Sequence, residues 1–124
     1  MTITEQGIRI DLPLLDYSKR RDTVLKECHM TLYKEYMMYK VVAEYEELNT
    51  DTEMWSPVKA NHRYTRRRAS LSGVDMFFSN REMLWSIDIE FLGVAEATGW
   101  LFTDPKQALA VYNQLHRYMV GIGE

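Results

Sequence analysis

Hydrophobic positions in this chain follow two rhythms. Ile8, Ile10 and Leu12 alternate with Arg9 and Asp11, the period-two pattern of a half-buried strand, and Pro13 closes it. After that no proline occurs until Pro57, and no glycine occurs between Gly7 and Gly73. With Asp16 or Ser18 as a cap, this unbroken stretch, rich in Leu, Met, Lys and Glu, predicts one long helix over residues 18–48. At about 100° per residue, Leu25, Cys28, Leu32, Tyr36, Tyr39 and Ala43 fall on one face. Met30, Met37, Val41, Tyr45 and Leu48 fall on the opposite one. The competing reading is that part of 30–45 is strand, because Tyr33, Tyr36, Tyr39, Val41 and Val42 favour extended backbone.

The second half is punctuated differently. Asn49-Thr50-Asp51-Thr52 is a polar break, and an irregular stretch follows from Trp55 to about Asn61. Residues 64–71 predict an edge strand. Val74, Met76 and Phe78 alternate, as do Met83, Trp85, Ile87, Ile89 and Phe91. A two-residue turn at Asn80-Arg81 pairs Phe78 with Met83, Met76 with Trp85 and Val74 with Ile87, all apolar. Gly93 marks another reversal, and residues 95–102 predict a further strand. A terminal helix then starts with Asp104 as cap, Pro105 at its first position and Gln107 in a capping box. Its apolar stripe is Ala108, Val111, Tyr112, Leu115 and Met119, and Gly121 stops it.

The expected fold is therefore α+β in one domain: an extended arm over 1–17, a long helix over 18–48, an antiparallel meander of about four strands over 62–103, and a helix over 104–120 packed on the sheet. A helix with two apolar faces needs two apolar neighbours, and so small a chain supplies one. The second is expected to be another copy, with Met30, Met37, Val41, Tyr45 and Leu48 as the interface and a dimer favoured.

Charge changes this picture locally. The net charge is −3 over 124 residues. Residues 1–50 carry −2, residues 51–82 carry +2 and residues 83–124 carry −3. The middle is thus a basic island in an acidic protein, a poor design for coating duplex DNA but able to grip a few phosphates. The single cysteine, the absence of a leader-like start and the charges interrupting every apolar run point to a cytoplasmic protein with no membrane partner.

The candidate chemistry lies in Lys59-Ala60-Asn61-His62-Arg63-Tyr64-Thr65-Arg66-Arg67-Arg68. Guanidinium groups fork onto phosphate oxygens, while Tyr64, His62 and, on the outer sheet face, Phe77 offer rings for base stacking. Arg63, Tyr64, Arg66, Arg67, Arg68 and Phe77 are thus the candidate anion-binding residues, with single-stranded nucleic acid as the partner. Alternatively, the arginines protect a sheet edge or pair with Glu44, Glu46 and Glu47.

Other motifs support less. Cys28 and His29 are adjacent, unsuited to sharing an ion on a helix, and no second cysteine exists. Asp88 and Glu90 share a strand face with Ser86, about 7 Å apart, a spacing that suits a divalent ion or a solvated face. Met30, Met37, Met38, Tyr33, Tyr36 and Tyr39 suit a ligand cage or an interface. No glycine-rich phosphate loop, serine elbow or zinc-ligand pattern occurs. The pattern favours a non-enzymatic oligomeric binding protein with no cofactor. An assembly module without nucleic acid, or a small-ligand binder or enzyme with a pocket between helix and sheet, stands as the alternative.

Overall fold

Alternation, not helical periodicity, governs the first half of the molecule. The computed structural model describes residues 3–13, 20–95 and 97–121. Within these, the elements are strands β1 (Ile8–Asp11), β2 (Arg20–Leu32), β3 (Tyr36–Asn49) and β4 (Met54–Arg67), a 3-10 turn (Arg68–Ser70), strands β5 (Leu71–Ser79), β6 (Leu84–Phe91) and β7 (Thr98–Phe102), and helix α1 (Pro105–Val120). They form two antiparallel sheets, ordered β1-β2-β3-β4 and β5-β6-β7.

The long helix over 18–48 is therefore overturned. Its place is taken by β2 and β3, joined through Tyr33-Lys34-Glu35, where the Tyr33 N–H donates to the Tyr36 carbonyl at 2.9 Å. The single sheet over 62–103 is likewise replaced by two. The caps predicted at Asp16 and Ser18 lie outside the described residues.

Two bulges explain why β2 does not read as a strand. Its register with β3 shifts between Arg21 and Val24, and again between Leu25 and Glu27, with Asp22 at a positive φ of 53°. Beyond them the alternation is clean. Cys28, Met30 and Leu32 lie opposite Val41, Tyr39 and Met37 and face inward. Ala43 and Tyr45 continue that face, covered with Ala60 in a separate small cluster.

Both inner sheet faces and the helix share one core. Met30, Leu32, Met37 and Val41 from the first sheet meet Val74, Ile87, Ile89, Trp100 and Phe102 from the second. Ala108, Val111, Leu115 and Tyr118 of α1 complete it. Each fully buried large side chain contributes about 1.5–3 kcal/mol. This arrangement removes the proposed oligomer interface: Met30, Met37, Val41 and Tyr45 are buried within the protomer, and Leu48 is half-buried beside Trp55 on the opposite face. The argument for a second copy, which rested on a two-faced helix, falls with that helix.

The β5–β6 hairpin keeps the predicted faces but not the predicted register. Phe78 pairs with Trp85, Met76 with Ile87 and Val74 with Ile89, two residues beyond the expected partners. A slip of two preserves side-chain parity, so alternation alone cannot distinguish the registers. The turn is longer than two residues. Met83 takes a φ of 57°, and its N–H donates to the Ser79 carbonyl at 2.7 Å.

The edge strand expected at 64–71 is divided: residues 64–67 end β4, which starts at Met54 in the first sheet, residues 68–70 form the 3-10 turn, and Leu71 opens β5 of the second. Pro57 sits within it, tolerated because an edge strand has one side with no ladder to complete. Helix α1 follows its predicted limits. Asp104 accepts a hydrogen bond from the Lys106 N–H at 2.9 Å, and Gly121 caps the far end through the Arg117 carbonyl.

Candidate anion-binding strand and inter-sheet pocket

Strand β4 carries Lys59, His62, Arg63, Arg66 and Arg67 and no acidic residue. Pairing with β3 divides these residues between two faces. His62, Tyr64 and Arg66 lie opposite Val41, Tyr39 and Met37, on the side that faces the second sheet. Lys59, Arg63 and Arg67 project from the other side. Because β4 ends the sheet, its second edge has no strand partner among the described residues.

The nearby acids do not neutralise this strip. Glu46 accepts from Arg21 at 2.7 Å, and that hydrogen bond holds its carboxyl below the usual range. Glu44 meets Lys26 at 3.4 Å, and Glu27 meets Lys40 at 3.1 Å. Lys59, Arg63, Arg66 and Arg67 have no ion-pair partner among the described residues. Arg63 contacts the Met38 sulfur, and Arg66 the Thr65 carbonyl. Clustered cations on an edge hinder pairing with a foreign sheet, an effect that needs no ligand. What exceeds that need is the row of rings beside them.

Tyr64 is 47 % exposed and central to this row. It stacks with Tyr39 at 6.1 Å between centroids and with His62 at 6.2 Å, with the ring planes nearly parallel in both pairs. Tyr39 in turn meets Trp100 of β7 at 5.3 Å and 60°. The Arg66 guanidinium lies 5.7 Å from the Tyr64 ring. One end of the row is thus open to solvent and the other runs into the core.

At the inner end of this row the sheets separate around a cavity of about 310 Å³. Met30, Met37 and Tyr39 form one wall, Ile89, Phe91 and Trp100 the other, with Tyr64 and Arg66 at its β4 side. Val94 and Ala97 of the β6–β7 connection, which reverses at Gly93 with a φ of 78°, and Thr98 at the start of β7 also border it. Burial raises the pKa of Tyr39, and burial likewise raises that of the Cys28 thiol. Both groups stay protonated near neutrality.

Two candidate residues occupy other environments. Arg68 is buried at 4 % exposure, not on the strip. Its Nε donates to the Tyr118 carbonyl at 2.7 Å, its Nη1 donates to the Lys34 carbonyl at 3.1 Å, and its guanidinium lies 4.3 Å from the Tyr118 ring. The strand ends at Arg67, so the alternation that would have placed Arg68 beside Arg66 stops one residue early. Phe77 is 45 % exposed, but on the outer face of the second sheet, opposite Ser86 and next to the Asp75–Asp88 pair. Those carboxylates repel phosphate, and no continuous surface joins Phe77 to Tyr64 on one sheet.

The remaining motifs resolve as packing and surface. Cys28 is buried and donates to the Pro13 carbonyl, while His29 projects from the other face toward Glu27. Asp88 accepts from Ser86 at 3.1 Å, and Glu90 is exposed on the same outer face. No group of three metal-ligating side chains occurs among the described residues, and no helix among them is long and apolar enough to cross a membrane. Sequence reasoning missed Trp100, the ring linking the row to the second sheet; its alternation with Phe102 was the available signal. A comparison of the chain with protein-family models, curated proteins and solved structures finds no match.

Proposed function

We propose that the chain is a non-enzymatic binding protein whose β4 edge receives single-stranded nucleic acid. The observation that carries this reading is the set of cations Lys59, Arg63, Arg66 and Arg67, without ion pairs among the described residues, flanking exposed Tyr64 and His62 on the β4 edge of a molecule whose net charge is −3. A strand of nucleic acid laid along that edge meets Arg63 and Arg67 on one side and Arg66 on the other. Arg63 and Arg67 stand about 13 Å apart, so each holds a different phosphate. Tyr64 and His62 stack on bases without regard to sequence.

The test is fluorescence anisotropy of a labelled oligothymidylate over a range of salt concentrations. Wild-type affinity should fall steeply with salt. An Arg63→Ala/Arg66→Ala/Arg67→Ala variant should bind far more weakly, with a log–log slope shallower by about 2, since each lost phosphate contact contributes about 0.7. Arg68 is left unchanged because its loss would disturb the core. No binding at low salt, or equal binding by the variant, would reject the reading.

A further inference from the structure

We infer that the cavity between the sheets is a small-molecule site for a flat aromatic monoanion. Its volume, about 310 Å³, lies at the lower end of the range for ligand pockets. Its chemistry is one-sided. Among the described residues no carboxylate borders it, and the one charged residue there is Arg66, which has no ion pair among them. The walls are ring faces and thioethers: Tyr39, Tyr64 and Trp100, with Met30 and Met37 buried behind them.

Each feature selects a part of the ligand. Rings already disposed in a row accept a further ring by stacking. Methionine adapts to irregular outlines, so the site tolerates variation in the ligand body. The Arg66 fork suits a planar carboxylate or a sulfonate better than a point charge would. Among the described lining residues Arg66 carries the charge, and so sets the polarity of the site. An uncharged hydrocarbon would leave that guanidinium without a counter-ion, and a dianion would exceed it by one charge. Tyr64 and Arg66 belong to both proposed sites, but Lys59, Arg63 and Arg67 project from the other face of β4 and do not line the cavity, so the two readings can be tested apart.

The experiment uses two fluorescent probes with the same rings, 1-anilinonaphthalene-8-sulfonate and uncharged 1-anilinonaphthalene. The sulfonate should bind the folded protein saturably at one site and be displaced by 2-naphthoate. Arg66→Gln should weaken the sulfonate about tenfold and the uncharged probe less than about twofold. Ala97→Trp, on the connection before β7, should block both probes, and Arg63→Ala/Arg67→Ala should affect neither. Thermal melting of each variant confirms that it is folded. Absence of saturable binding, equal loss of both probes in Arg66→Gln, or unimpaired binding by Ala97→Trp would overturn the assignment. The Arg63/Arg67 variant separates the readings, because it should lose oligothymidylate affinity while keeping the probe.

Discussion

Adjacent arginines with the same local composition do different work here. Arg67 is exposed on the β4 edge, whereas Arg68 turns inward and ties the last turn of α1 to the β2–β3 connection. The Tyr118 carbonyl it meets lies at a helix C-terminus, where backbone dipoles favour a cation. Arg68→Ala should therefore cost about 3 kcal/mol in urea unfolding, through two charge-assisted hydrogen bonds and lost packing against the ring. Arg67→Ala should stay within about 0.5 kcal/mol of wild type; equal effects would show that Arg68 is not structural. Tyr118 itself supplies a pH test. Burial pushes its hydroxyl up to about 12 from an ordinary value of 10, even with Arg68 pulling the other way. The folded state thus binds this proton more tightly than the unfolded chain, so its contribution is full below pH 10 and is lost as pH rises toward 12. Tyr118→Phe lacks that dependence but also loses the 2.6 Å bond to the Tyr33 carbonyl. Wild type should be more stable by about 1 kcal/mol at pH 8, and the gap should close and then reverse in alkali. A constant gap from pH 8 to 11.5 would contradict the upward shift.

Elements were legible where local chemistry allowed one answer. Helix α1 was readable because Asp104, Pro105 and the stripe from Ala108 to Met119 all specify the same state. Strand β1 was readable for the same reason, with Pro13 fixing its end. Residues 19–48 failed because their apolar positions satisfy both rhythms. Cys28, Leu32, Tyr36 and Tyr39 fit a helical face, while Cys28, Met30 and Leu32, then Met37, Tyr39 and Val41, fit alternation. Leu, Met, Lys and Glu favour helix locally, and pairing with β1 and β4 overrides that preference. The decisive break, at Tyr33-Lys34-Glu35, contains neither glycine nor proline. It is held by the Arg68 side chain and backbone, through Lys34 and Glu35, from a position 34 residues away. No window of sequence contains that contact. The same limit applies to the site. Arg66 and Tyr64 were found from composition and alternation, but their meeting with Tyr39 and Trp100 depends on the packing of one sheet on another.

At the scale of the whole molecule, the first sheet is longer than the core that covers it. Near Met37 and Val41, β3 is covered by the second sheet and belongs to the large cluster joined to α1. Farther along, Ala43, Tyr45 and Ala60 form a minor cluster, and the last residues of β3 carry exposed Glu47 and Asn49. The ion pairs there, Arg21 with Glu46 and Lys26 with Glu44, are solvent-exposed and contribute little. Local stability follows buried apolar contact, so this end should open without unfolding the rest. Native-state hydrogen exchange should show the amides of Met37 to Val41 protected up to the global unfolding free energy. Those of Leu48 and Asn49, and their β4 partners Trp55 and Met54, should exchange through local opening by faster, weakly denaturant-dependent routes. Tyr64 and Arg66 pair with the protected part, so both proposed sites would rest on the rigid end of the sheet. If both ends of β3 instead exchanged with the same free energy and denaturant dependence, the sheet would be one cooperative unit. The minor cluster would then have to be coupled to the main core more strongly than its few side chains allow.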